Sequence, residues 1–214
     1  METIRERRGR ALVLLLAAVV LMRLPFLNQA IQGDDVYYLA AAEHAQIDPL
    51  HPNHVRYVFL GDEVDFRGHP HPPLNAWALA LLLALWGDIA EAPFHAAYIV
   101  FSLIAAAAMW SLARRFSPHP LWATLLFLAV PAFVVNGNSL ESDLPFLAFW
   151  MAAVALFAAG RTWWAAAAMA LAAMGAYQAV FLTPILWVYC WLYRRKDRAA
   201  WAATLTPPLV ILAW

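Results

Sequence analysis

The sequence predicts an all-α, polytopic transmembrane helix bundle with interfacial helices in a long first external loop. Of its 214 residues, 64% are hydrophobic and only 13% are charged, and the mean hydropathy is +0.62. Both fractions lie far from those of soluble domains. Several apolar runs also approach the roughly 17–25 residues with which a helix crosses a bilayer. The 14 basic and 14 acidic residues cancel, so no nucleic-acid partner is expected and the electrostatics that matter are local. The one cysteine, Cys190 in LWVYCWLY, excludes an internal disulfide and a cysteine metal cluster and reads as a packing thiol.

METIRERRGR followed by ALVLLLAAVVLM has the basic-then-apolar order of a signal peptide. The candidate cleavage site NQA lies beyond RLPF and further apolar runs follow, so residues 11–28 are expected to form an uncleaved first span. Further spans are expected at 93–113, 119–136, 144–160, 162–178, 179–193 and from 199 onward, where the apolar run reaches Trp214 as if part of a longer protein. Segment 74–87 (LNAWALALLLALWG) is too short to cross comfortably, and it decides the topology. If it spans, LARRF and RRKDR fall opposite the basic N-terminus, against the positive-inside rule. If it lies on the outer surface, Arg5, Arg7, Arg8, Arg10, Arg114, Arg115, Arg161, Arg194, Arg195, Lys196 and Arg198 all face the cytoplasm.

The first external loop then runs from 29 to 92 and holds most of the acids, with His44, His51, His54, His69 and His71. A second, NGNSLESD at 136–143, holds Glu141 and Asp143, and a third turn lies near GAYQAVF. Residues 36–46 have helix-forming composition behind Gly-Asp-Asp, where Asp34 could cap the exposed amides. Asp143, before Leu-Pro at the mouth of a span, is likewise either a helix cap or an acid with a task. In RGHPHPPLNAW, prolines at 70, 72 and 73 hold His69 and His71 in a rigid extended segment. That His-x-His could ligate a metal, contact an anion or be plain loop; no zinc-type spacing completes a set. Arg23, near the outer end of the first span, is expected to snorkel to the interface rather than meet a lipid phosphate. Span centres almost free of ionisable residues speak against a proton-coupled transporter, and tryptophans at segment ends read as belt anchors.

GDDVYYLAAAEHA outside the first span, HPPLNAW, a span ending LARRF, and DLPFLAFW preceded by Ser139 resemble, in order and spacing, the membrane module of GT-C fold glycosyltransferases. The closest pattern is that of the polyprenyl-phosphate-sugar-dependent enzymes, which include the dolichyl-phosphate-mannose protein mannosyltransferases and the bacterial transferases that add aminoarabinose to lipid A. The resemblance implies an outward-opening site at the membrane surface, with Asp34 as catalytic base, Asp35 standing where relatives usually have glutamate, and Asp143 as the acid of the later span. A lysine that some relatives place to meet the donor phosphate falls near His71. With His69, Arg67 and Arg56, that histidine makes up the candidate phosphate-binding set. Tyr37, Tyr38 and Gln178 are the substrate-contact candidates.

The chemistry suits these residue types. A polyprenyl phosphate leaves without being protonated, so one carboxylate that takes the proton from an incoming hydroxyl or amine suffices. In-line attack then inverts the anomeric carbon. The expected function is therefore transfer of a sugar from a polyprenyl-phosphate donor to a lipid, glycan or protein acceptor on the extracytoplasmic face of a bacterial inner membrane, with no certain cofactor and a divalent metal the one candidate. The rival expectation is a non-catalytic transporter or assembly protein whose external His/Asp loop binds that metal.

Overall fold

The structure, a computed structural model, describes residues 2–69 and 71–214, without the side chains of residues 2–8. The sidedness expected for Arg5, Arg7 and Arg8 and the rigidity assigned to Pro70 fall outside the described residues. The chain is mostly helical, and two of its helical stretches, Gly9–Phe26 and Glu91–Phe116, are long and apolar enough to cross a membrane. The first belongs to α1 (Glu2–Arg23) with the short 3-10 turn that follows it, and the second is α4 (Glu91–Phe116). Between them lie α2 (Asp35–Ala45), a hairpin of β1 (Arg56–Phe59) and β2 (Asp62–Asp65), and α3 (Leu74–Trp86).

The hairpin was not expected from the sequence. It pairs Arg56 with Asp65 through Phe59 with Asp62, and its two-residue turn, Leu60 at φ 53° and Gly61 at φ 95°, has the left-handed geometry that matches strand twist. Tyr57 packs its ring 4.3 Å from that of Tyr37, so the hairpin lies on α2. Helix α3 is 13 residues long, about 20 Å at 1.5 Å per residue and short of a bilayer core of roughly 30 Å. Gly87, at φ 80°, ends it in the left-handed conformation that glycine adopts without steric cost.

The span expected at 119–136 is not one helix. It divides into α5 (Pro120–Leu128) and α6 (Pro131–Val135). Pro131 offers no N–H and drives Val130 into extended backbone, φ −61° and ψ 125°, which stops the preceding helix. Next come α7 (Asp143–Ala158), α8 (Thr162–Gly175), a 3-10 turn over Tyr177–Phe181, α9 (Leu182–Tyr193), α10 (Arg198–Ala203) and α11 (Thr206–Ala213). The run expected from 199 is thus also broken, between α10 and α11.

Three cores hold these elements. One joins α2, α3 and the start of α4 around Phe66, Leu79, Phe94 and Tyr98. The second packs α1, α4, α5 and α7 around Val19, Ala105 and Ala148. The third joins α7 to α10 through small residues such as Ala153, Ala165, Ala172 and Ala200, which let helix backbones approach closely where lipid offers no hydrophobic drive.

Arginines gather toward one end of the bundle. At one end Leu12, Trp110, Arg114, Arg115 and Ala159 line a common hollow, and Arg194 donates to the Phe157 carbonyl (3.2 Å) and to the Thr162 hydroxyl (2.7 Å). At the other end Asn75, at the start of α3, meets Leu140, and His95, in the first turns of α4, meets Asn138. The chain thus enters α3 and α4 at the same end, and α3 does not carry it across the bundle.

Candidate active site

The site is built on the segment from Phe133 to Asp143, which links α6 to α7. Alone this segment has little regular structure, and buried polar side chains from four other helices fasten it. Arg23, at the last turn of α1, has no exposed surface. Its Nη1 donates to the Val134 carbonyl (2.9 Å), its Nη2 to the Phe133 carbonyl and its Nε to the Ser102 hydroxyl (3.2 Å). These carbonyls sit at the C-terminal end of α6, where a cation is favoured. The guanidinium also lies over the Phe133 ring, 4.7 Å from its centroid. The expectation that Arg23 snorkels to the interface is therefore corrected: the partners inside the bundle satisfy it better than retreat to water.

The rest of the segment is held the same way. Ser102 donates to the Gly137 carbonyl (3.3 Å), and the two ring nitrogens of His95 face the carbonyls of Asn138 and Gln29. Asn75 donates to the Leu140 carbonyl (2.7 Å) and accepts from the Tyr98 hydroxyl (2.6 Å). Ser142 donates to the Gly175 carbonyl (2.7 Å), which ties the segment to the end of α8.

The two aspartates of GDDVYY occupy different environments. Asp35, the first residue of α2, is buried, and its carboxylate accepts from the Ser139 hydroxyl (3.0 Å) and the Leu140 amide (2.8 Å). Burial raises its carboxyl above the ordinary range, and these two bonds oppose the rise. Asp34 is exposed at the start of the helix, and its side chain makes no capping bond. The capping role anticipated for it is therefore not used. Successive helical side chains point about 100° apart, which is why neighbours in sequence divide between core and surface.

Asp143 is exposed in the first turn of α7, with Ser142 before it and no side-chain cap. Glu141, two residues before Asp143, is half-buried, and its carboxyl is raised by burial and then by the charges of Asp35, Asp143 and Asp34. The same acids act on Tyr38, one turn into α2, whose hydroxyl is pushed up by burial and by Asp143, Glu141 and Asp34. The fold thus brings together Asp34, Asp143 and Tyr38, and adds Glu141, which the sequence had shown only as one more loop acid.

His69 and His71 enter from the proline-rich segment. Tyr38 meets both edge-on, with ring centroids 5.3 Å from His69 and 5.9 Å from His71. His69 stacks on Phe66 at 4.6 Å, and its Nδ1 is buried without a partner. Burial, with His71 beside it, lowers His69 from 6.5 to about 4, against the opposing pull of Asp34 and Asp143. His69 is therefore uncharged near neutral pH. The Nδ1 of His71 lies 3.1 Å from the Gly175 carbonyl, so Nδ1 carries the proton and Nε2 is left for other partners.

The remaining sequence candidates lie elsewhere. Arg56 pairs with Glu63 (3.1 Å) across the hairpin, and Arg67 pairs with Asp65 just beyond it, both exposed. With His54 they line a separate hollow. Tyr37 packs against Tyr57 and Phe59. Gln178 is exposed in the turn after α8. Among the described residues no three His, Cys, Asp or Glu side chains come together as a metal site.

Sequence reasoning missed Arg23, Asn75, His95, Ser102 and Ser142 as the fastening set. The available signal was a polar residue inside an apolar stretch, which a bundle accepts only where it finds partners.

A family profile described as dolichyl-phosphate-mannose-protein mannosyltransferase matches residues 70–214. No curated protein and no solved structure matches the chain. The profile spans more than half of the sequence and takes in α3 and the whole fastened segment with Glu141 and Asp143. The chain belongs to the dolichyl-phosphate-mannose-protein mannosyltransferase family, a membrane-integral family of glycosyltransferases of the GT-C type.

Proposed function

We propose that this chain carries the site at which a sugar passes from a polyprenyl-phosphate donor to an acceptor hydroxyl or amine, with Asp34 as the base. The observation that carries this reading is the contrast within the acidic pair: Asp35 is consumed by Ser139 and Leu140, whereas Asp34 is exposed beside Asp143 and Glu141. A base has to reach the proton it removes, and Asp34 is the member of the pair that can.

The acceptor proton goes to the Asp34 carboxylate as the acceptor oxygen or nitrogen attacks the anomeric carbon. The bond from that carbon to the phosphate oxygen breaks on the opposite side, its electron pair stays on the phosphate, and the configuration inverts. Asp143 and Glu141 orient the nucleophile by accepting its remaining hydrogen bonds. On the donor side, His71 presents Nε2 to the phosphate. Neutral His69 contributes a hydrogen bond, and Arg67 and Arg56 reach a phosphate only by exchanging Asp65 and Glu63 for it. The acid end is the extracytoplasmic end in this reading, because the opposite end holds Arg114, Arg115 and Arg194. Sugar transfer by the Asp34→Asn variant tests the proposal: it must fail where the wild type succeeds.

A further inference from the structure

Against the outer flank of α7 lies a cavity of about 210 Å³ between α5, α6 and α7. Phe133, Leu144 and Leu147 are among its apolar walls, and Glu141 and Asp143 stand in its polar part. Next to it the surface stays apolar, with Leu126 70% and Val135 62% exposed, as suits a wall facing lipid in a membrane-integral chain.

The lining contains no lysine, arginine or histidine. Arg23 lies behind Gly137, but it is fully buried and committed to Ser102, Phe133 and Val134. A phosphate placed here would meet two carboxylates and no compensating charge. A hydroxyl or ammonium group on an apolar chain matches both parts of the cavity at once.

We propose that this cavity is the acceptor subsite and that the acceptor is a lipid-like amphiphile, its apolar chain between α5 and α7 and its hydroxyl or amine at Glu141 and Asp143. This rests on Asp34 being the base. The carboxylates are then approached from two flanks, acceptor from the cavity and donor from the side of His69, His71 and Tyr38. In the transfer the acceptor's O–H or N–H proton moves to Asp34, its electron pair forms the new glycosidic bond, and the bond to phosphate breaks with its pair on the leaving oxygen. An ammonium here would also offset the crowding of carboxylates that raises Glu141.

The test uses the full chain in lipid nanodiscs and three probes of equal chain length: dodecylamine, dodecanol and dodecyl phosphate. The amine and the alcohol should raise the unfolding midpoint saturably and the phosphate should not. Filling the cavity with Ala132→Trp, or more gently with Leu147→Phe, should weaken the amine effect at least tenfold. In transfer assays the same variants should raise KM for the acceptor about tenfold and leave KM for the donor within twofold. Dodecyl phosphate binding as tightly as the amine, amine binding unaffected by the filling variants, or a rise confined to the donor KM would overturn the assignment. Repeating the probe titration on Asp34→Asn separates the two readings. Binding that persists there, in a variant that still transfers sugar, removes the base and leaves the cavity; a wild type that does not bind the amine, with transfer lost in Asp34→Asn, removes the cavity and leaves the base.

Discussion

The carboxylate of Asp35 accepts a hydrogen bond from the backbone amide of Leu140, 105 residues away, at 2.8 Å. With the bond from Ser139 it fixes the start of α2, and therefore Asp34, to the segment that carries Glu141 and Asp143. A loop acid and a helix N-terminus become one rigid unit, so the distances among the three exposed or half-exposed acids are set by a fourth that is buried.

If Asp34 is the base, Asp35 serves to position it, and two substitutions separate that role from catalysis. Asparagine keeps an oxygen that can accept from both Ser139 and Leu140, so Asp35→Asn should retain most of the transfer rate. Alanine removes both acceptors and leaves the Leu140 amide buried and unpaired, a cost of about 1–3 kcal/mol. Asp35→Ala should lower the denaturation midpoint and the rate together. Loss of transfer in Asp35→Asn with an unchanged midpoint would instead make Asp35 catalytic.

Gly137 leaves room for Arg23. A Cβ added at that glycine would lie 1.8 Å from the guanidinium carbon, and the guanidinium cannot yield without breaking bonds to Ser102, Phe133 and Val134. Gly137→Ala should therefore destabilise the protein by about 1–3 kcal/mol, the usual range for overpacking. In the Arg23→Met background the same substitution should cost much less, because contacting residues are not additive. A double-mutant cycle in denaturant measures this, and additive effects would contradict the contact.

His69 makes stability depend on acid. Its folded pKa is lowered from 6.5 to about 4, so between those values the unfolded chain binds the extra proton. Its contribution to stability is complete above pH 6.5 and is lost as pH falls toward 4. His69→Phe keeps an aromatic ring for Phe66 to stack on and removes the titration. Between pH 6.5 and 4 the wild-type midpoint should fall relative to that of the variant. Parallel curves would show that His69 is not buried as a neutral ring.

Glu141 has the opposite sign. Its folded pKa is raised above 4.5, so the ionised carboxyl costs stability at neutral pH, and the cost disappears as pH falls below the unfolded value. Glu141→Gln should stabilise the protein at pH 7 and leave it unchanged near pH 4. Thermal unfolding at the two pH values checks the difference, and a variant less stable at pH 7 would contradict the crowding of carboxylates around Tyr38.

Local and compositional features were legible in the sequence. Apolar length marked α1 and α4, the short apolar segment 74–87 marked α3 as too short to cross comfortably, and the helix behind Gly-Asp-Asp starts at Asp35. The break between α5 and α6 was equally available in Pro131, but the apolar run of 119–136 hid it, because hydropathy is blind to a missing N–H. The four-residue strands of the hairpin are too short to display an alternation. The fastening of the segment after α6 was not legible. Arg23 to Val134 and Asp35 to Leu140 are pairings across more than a hundred residues, and one sequence shows that such polar residues need partners without showing which. Glu141 was overlooked for the same reason: its environment comes from Asp35, Asp34 and Tyr38, which only the fold supplies.

The central claim is that Asp34 takes the acceptor proton, and its most direct measurement is the rate of sugar transfer by full-length Asp34→Asn against wild type. Both would be assayed in nanodiscs with a panel of polyprenyl-phosphate sugars, and their denaturation midpoints compared in the same preparation. Asparagine preserves the size of the exposed side chain and removes its basicity, so the rate should fall by about 10²–10⁴, the range a general base supplies, with the midpoint unchanged. Transfer at the wild-type rate by the folded variant would contradict the account.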